Sequence, residues 1–108
     1  MATNITGKDV LDAVGSGPEG LPYGDDAESR TYSQGVGEIL MDLRRHAGGK
    51  YTVLDVPLNE DDLTKIIDDA VLCIESTGLH EVDGPVGEGI RSARDRLVTA
   101  LRSLLQQA

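Results

Sequence analysis

The residues Gly15 to Gly20 read GSGPEG and match the spacing G-x-G-x-x-G, in which glycines let a backbone approach a pyrophosphate at a helix N-terminus. That chemistry needs a strand before the glycines and a helix after them. Here TGKDVLDAV precedes them with helical spacing and LPYGDD follows as a turn, while Pro18 removes an amide that a phosphate would need. Glu38, near the offset at which an acid would meet a ribose, falls in a helical pattern. The stretch therefore reads as a flexible interhelical loop. A second glycine cluster, GPVGEG from Gly84 to Gly89, does precede a helix, but Glu88 lies inside it and no G-K-[ST] ending follows, which excludes a P-loop. It reads as a turn that sets up the last helix, with Arg91 and Arg94 as the nearest cations.

Nucleophilic and metal chemistry would have to come from Cys73, His46 and His80. A thiol–imidazole pair needs proximity that nothing in their spacing supplies, and Cys73 stands at the margin of an apolar stripe, where a free cysteine acts as a small hydrophobe. One Cys and two separated His also lack the paired spacing of a zinc site. Carboxylates are plentiful at Asp25-Asp26, Glu60-Asp61-Asp62 and Asp68-Asp69. Adjacent helical residues diverge by about 100°, however, and neither an EF-hand nor an E-x-x-H pattern is present, so these read as caps and solvated faces. No catalytic residue, cofactor site or metal site is expected.

One basic constellation remains. Arg91, Arg94 and Arg102 fall within an arc of about 80° on the last helix by 3.6-residue geometry. With Tyr23, Tyr32 or Tyr51 they form a candidate cradle for a phosphorylated small ligand at a subunit boundary, because guanidinium forks match phosphate. Ion pairing with an acidic third helix accounts for the same arginines at less cost.

The elements that must position these residues follow from caps and periodicity. A short first helix spans about Thr6 to Val14, with Thr6 as its cap, and a Gly/Pro-rich loop runs from Gly15 to Gly24. The second helix starts at Asp25 or Asp26, buries Tyr32, Val36, Ile39, Leu40, Leu43 and Ala47, and stops at Gly48-Gly49. Gly35 and Gly37 inside it each cost about 1 kcal/mol relative to Ala. They mark either a kink or start of the helix or a close approach by another backbone. Lys50 to Val56 (KYTVLDV) alternates enough for one short strand, paired with Leu79 to Val82 or with another subunit; the default reading is an extended linker.

Asn59 caps the third helix, with Leu58 and Leu63 as a hydrophobic staple and three acids in its first turn. Leu63, Ile66, Ile67, Ala70, Val71, Ile74 and Thr77 make its stripe, and Gly78 ends it. The fourth helix follows Asp83-Gly84-Pro85 and carries Val86, Ile90, Ala93, Leu97, Ala100 and Leu104 at heptad spacing, widened by Leu101 and Leu105.

These elements define an all-α fold: a small bundle of three long helices plus a short N-terminal helix, with residues 50–56 as the one place for a short strand. Residues 1–24 form the N-terminal helix and loop and 25–108 the helical bundle domain. With 108 residues, one core is expected, and the absence of Phe and Trp leaves Leu, Ile, Val and Ala to build it.

The net charge of −9 disfavours nucleic acid and anionic membranes as partners and favours a basic protein. Charge is uneven: residues 1–90 hold 18 acidic and 6 basic side chains, residues 91–108 hold 1 and 4. With one cysteine, no long apolar run and no leader-like N-terminus, the expected setting is the cytoplasm. The expected role is a non-enzymatic acidic module for protein–protein interaction, such as a small subunit, adaptor or inhibitor. An oligomeric binder of a nucleotide or phosphorylated metabolite is the alternative. Self-association as a homodimer is expected through Leu97, Leu101, Leu104 and Leu105, since C2 pairing is the commonest way to cover terminal apolar surface.

Overall fold

The N-terminal end of a helix leaves amides unpaired, and α1 and α3 answer that need in different ways. The computed structural model describes residues 5–15 and 27–107. Strand β1 (Ile5–Thr6) runs directly into α1 (Gly7–Gly15). Thr6 Oγ1 accepts from the Asp9 amide at 3.4 Å, while the Thr6 amide donates to Asp9 Oδ2 at 2.9 Å. The next amides, of Gly7 and Lys8, donate to the carbonyls of Val56 and Leu54, each at 3.0 Å. A Cβ on Gly7 would strike the Val53 carbonyl oxygen, so only glycine fits where this turn meets the helix.

Helix α2 (Ala27–Ala47) runs unbroken through both internal glycines. Gly35 is a point of close approach, although side chains rather than a backbone do the approaching: a Cβ would collide with Leu97 Cδ1 and lie 3.3 Å from Ile74 Cδ1. Gly37 faces open space, and nothing in the structure explains it. Gly48 and Gly49 end the helix at φ +55° and +80°, which relieves the Cβ penalty of the left-handed region. The expected start at Asp25 or Asp26, Tyr23, and the loop beyond Gly15 lie outside the described residues.

The segment 50–56 forms turns. The short strand comes just after it, as β2 (Pro57–Leu58), and pairs antiparallel with β1 in the register Ile5 to Leu58 and Thr6 to Pro57. The partner expected at Leu79 to Val82 is instead a 3₁₀ turn, Leu79–Glu81. Two residues of strand carry no readable period, so their pairing is set by the tertiary fold.

Helix α3 (Glu60–Glu75) starts from a reciprocal capping box: Asn59 Oδ1 accepts from the Asp62 amide at 2.8 Å, and the Asn59 amide donates to Asp62 Oδ2 at 3.0 Å. Leu58 and Leu63 are both buried, as a staple requires. Leu63, Ile66, Ile67, Ala70 and Ile74 form the buried stripe; Val71 is half-buried, and Thr77 is exposed beyond the helix end.

Helix α4 (Pro85–Gln107) follows Gly84 at φ +103°. Its buried line is Ile90, Ala93, Leu97 and Leu101. The heptad reading is corrected here: Val86 is exposed, and Ala100 and Leu104 are only half-buried. A step of four residues from Leu97 turns a side chain by about 40° and a step of three by about 60° the other way, so Leu101 lies nearer the buried line than Ala100.

Helix α4 lies along α2, α3 leans on both, and α1 fills the remaining side against α4 and α2. The result is a helical bundle of 43 × 23 × 22 Å, with Val10, Val14, Ile39, Leu43, Leu63, Ile66, Leu97 and Leu101 at its centre. Each such side chain contributes about 1.5–3 kcal/mol by burial. The one aromatic ring described in this core is Tyr32, whose hydroxyl donates to the Val14 carbonyl at 2.7 Å and so ties α2 to the end of α1.

Candidate functional site

The arginines expected to cradle a ligand are separated. Arg91 donates through Nη1 to the carbonyls of His80 at 2.6 Å and Val82 at 3.4 Å, which fastens the loop before α4 onto that helix. Arg94 pairs with Glu75 at 2.9 Å and Asp95 at 3.1 Å, a link from α4 to the acidic third helix. Arg102 lines a shallow groove of about 390 Å³ with Ile67, Asp68, Val71 and Leu72. The antiparallel course of α3 and α4 is read directly from these contacts, since Arg94 meets Glu75 and Arg102 meets residues 67–72.

A larger groove of about 750 Å³ runs over α4 beside Tyr32 and is lined by Arg91, Arg96, Glu88 and Asp95. Arg96, which sequence spacing did not single out, pairs with Glu28 at 3.1 Å. Both cations of this groove are already engaged, and two carboxylates stand beside them.

The expected oligomer contacts divide in two. Leu97 and Leu101 are each 1% exposed, with their surface covered by the chain's own helices. Leu104 and Leu105 are half-buried against the core at the end of α4.

A surface feature without a sequence signal is the corner between the 3₁₀ turn and α4. Leu79, Val82 and Val86 are each close to half exposed, and Glu81, Asp83 and Glu88 are exposed among them. The corner is held rigidly: the Val82 amide donates to the Leu79 carbonyl at 3.1 Å, Arg91 grips the backbone beneath, and Gly87 lacks a Cβ that would strike the Val82 carbonyl oxygen. Apolar and acidic side chains are thus exposed together at this corner.

A buried acid sits between α2 and α3. The Asp42 side chain is only 3% exposed; its Oδ1 accepts from Arg45 Nη1 at 2.6 Å, while its buried Oδ2 has no hydrogen-bond donor among the described residues. Burial first, then the neighbouring Asp69 and Glu38, push Asp42 up to about 6, against the opposing pull of Arg45. A protonated Asp42 can donate to Asp69 across the helix seam. Sequence spacing missed this because Asp69 lies off the apolar stripe of α3 and Asp42 off that of α2; only the crossing of the two helices brings them together.

Cys73 is half-buried, and burial, aided by the Glu38 charge, raises its thiol pKa, so the sulfur favours the unreactive form. His46 faces Asp62 at 3.7 Å and His80 approaches Glu81 at 3.9 Å; among the described residues neither is hydrogen-bonded to Cys73. No three of His, Cys, Asp and Glu among the described residues converge as metal ligands. No described helix is long and apolar enough to cross a membrane. In comparisons with known proteins, the chain matches no family model, no curated protein and no solved structure.

Proposed function

We propose that this chain is a non-enzymatic, acidic helical module that binds a protein partner, docking the corner 79–88 against a basic, partly apolar segment. The observation that carries this reading is the exposure of Leu79, Val82 and Val86 together with Glu81, Asp83 and Glu88 on one rigid corner. Apolar side chains lose water at the centre of such a contact, and rim carboxylates select the sign of the partner and speed its approach. The overall charge of −9 acts in the same direction over longer range and works against nucleic acid or an anionic membrane. A cytoplasmic setting is part of the proposal and rests on the lone Cys73.

The test is affinity capture from the native extract at low salt, with wild type beside a Val82→Glu/Val86→Glu variant. The reading expects a partner that is held by wild type, released at about 0.5 M salt, and lost by the variant. A partner held equally by the variant, or no partner at low salt, overturns it.

The alternative, an oligomeric binder of nucleotides or phosphorylated metabolites, draws support from the groove of about 750 Å³ beside Arg91 and Arg96. It is weakened by Glu88 and Asp95 in the same groove and by the intramolecular bonds of both arginines. A thermal-shift panel of such ligands separates the two readings, because saturation at 100 times the dissociation constant adds about 2.7 kcal/mol.

A further inference from the structure

The shallow groove between α3 and the C-terminal half of α4 differs from the rest of this acidic surface. Leu72 is 66% exposed, the most exposed of the large apolar side chains described, and stands at the groove's edge with Val71 and Ile67 beneath it. Asp68 and Arg102 also line it, one on each helix. Neither side chain has a hydrogen bond or ion pair among the described residues. The groove is therefore an apolar strip flanked by one negative and one positive group, locally neutral on a chain of charge −9.

We infer that this groove is a homodimer interface in which a second copy of the chain is the occupant. An isologous contact must be self-complementary, and Asp68 and Arg102 meet that condition: a two-fold axis passing between them sets Arg102 of each copy over Asp68 of the other. Leu72 of each copy then enters the groove of its mate, which covers the side chain left most exposed by the monomer fold. Local neutrality removes the like-charge repulsion that two copies would meet elsewhere. Residues 67–72 of α3 give the groove itself a length of about 9 Å. Even with the flanking surface of both helices the contact stays below the roughly 800 Å² per partner of a standard interface, which places it among weak, concentration-dependent associations. This surface is separate from the corner 79–88, and it replaces Leu97 and Leu101 as the means of self-association, because those side chains are already buried.

Sedimentation equilibrium of the full chain tests the inference. Wild type at about 100 μM is expected to show dimer mass, and Leu72→Asp to weaken association roughly tenfold or more, with unchanged helical circular dichroism. Asp68→Arg and Arg102→Asp each place like charges across the interface and should dissociate alone. Mixed in equal amounts they restore both pairs, and a heterodimer should form. A monomeric wild type, single variants that dimerise as well as wild type, or no association on mixing overturns the proposal. Leu79→Asp, in the other surface, should leave the dimer unchanged, so failure here and failure of the corner reading are told apart.

Discussion

Replacing Asp42 with asparagine keeps the shape of a buried side chain and removes its charge, so the effect on stability can be worked out from the site. Asp42 holds its proton up to about pH 6 in the folded protein, against 3.8 for an ordinary aspartate. The folded state thus binds this proton more tightly than the unfolded state does. Its stabilising contribution is complete below about pH 3.8 and is lost as pH rises through about 6. That gap, at about 1.4 kcal/mol per pH unit, means about 3 kcal/mol surrendered by wild type on passing from acid to neutral pH.

The amide of the Asp42→Asn variant has no titrating proton to lose, and it can donate to the Asp69 carboxylate. The pull of Arg45, a side chain 62% exposed, on the charged carboxylate is already contained in the value of about 6. Asp42→Asn should therefore be about 2–3 kcal/mol more stable than wild type near neutral pH and close to equal near pH 4. Urea titrations of both proteins across that range, taken as a difference, cancel the contributions of acids remote from Asp42. A flat difference curve, or a variant less stable at every pH, would refute the reasoning that a desolvated proton is held at the α2–α3 seam.

The two glycines of α2 should respond in opposite directions. Gly35→Ala is expected to lose about 1–2 kcal/mol in urea unfolding, since Leu97 must move, whereas Gly37→Ala gains about 0.5–1 kcal/mol from helix propensity with nothing to strike. Tyr32→Phe leaves the buried Val14 carbonyl without its donor and should cost about 1–2 kcal/mol, with amide exchange in α1 accelerated more than in α3.

The long helices were legible because each sums many weak signals. The stripe of α3 and its Asn59 cap stand in the sequence much as they stand in the fold, and the Gly48-Gly49 stop of α2 has the backbone sign that stop requires. The seam of α4 was half legible: Ile90, Ala93 and Leu97 keep their places, but a period read along one helix cannot tell where neighbours cross it, so Val86 was counted inward and Leu101 only as an addition. The arginines show the same limit. Helical geometry puts Arg91, Arg94 and Arg102 on one arc, and separate neighbours then claim them one by one: backbone carbonyls, Glu75, and an open groove. The corner at Leu79, Val82 and Val86 gave no signal at all, because its exposure depends on a 3₁₀ turn that no periodicity announces.

The turn at residues 52–56 supplies carbonyls to the first amides of a helix some fifty positions earlier. In engineering terms, this makes two neighbouring stretches of one connection opposite in tolerance. Gly48 and Gly49 are exposed and lie before the anchoring contacts, so extra residues inserted there would extend a loop at a closure cost that grows only as about (3/2)RT ln n. A single residue inserted between Val53 and Val56 would displace the carbonyls on which α1 rests and shift β2 against β1. The N-terminal helix therefore has its footing in the middle of the chain, and a fusion or insertion placed a few residues too late would unseat a segment that the sequence shows nowhere nearby.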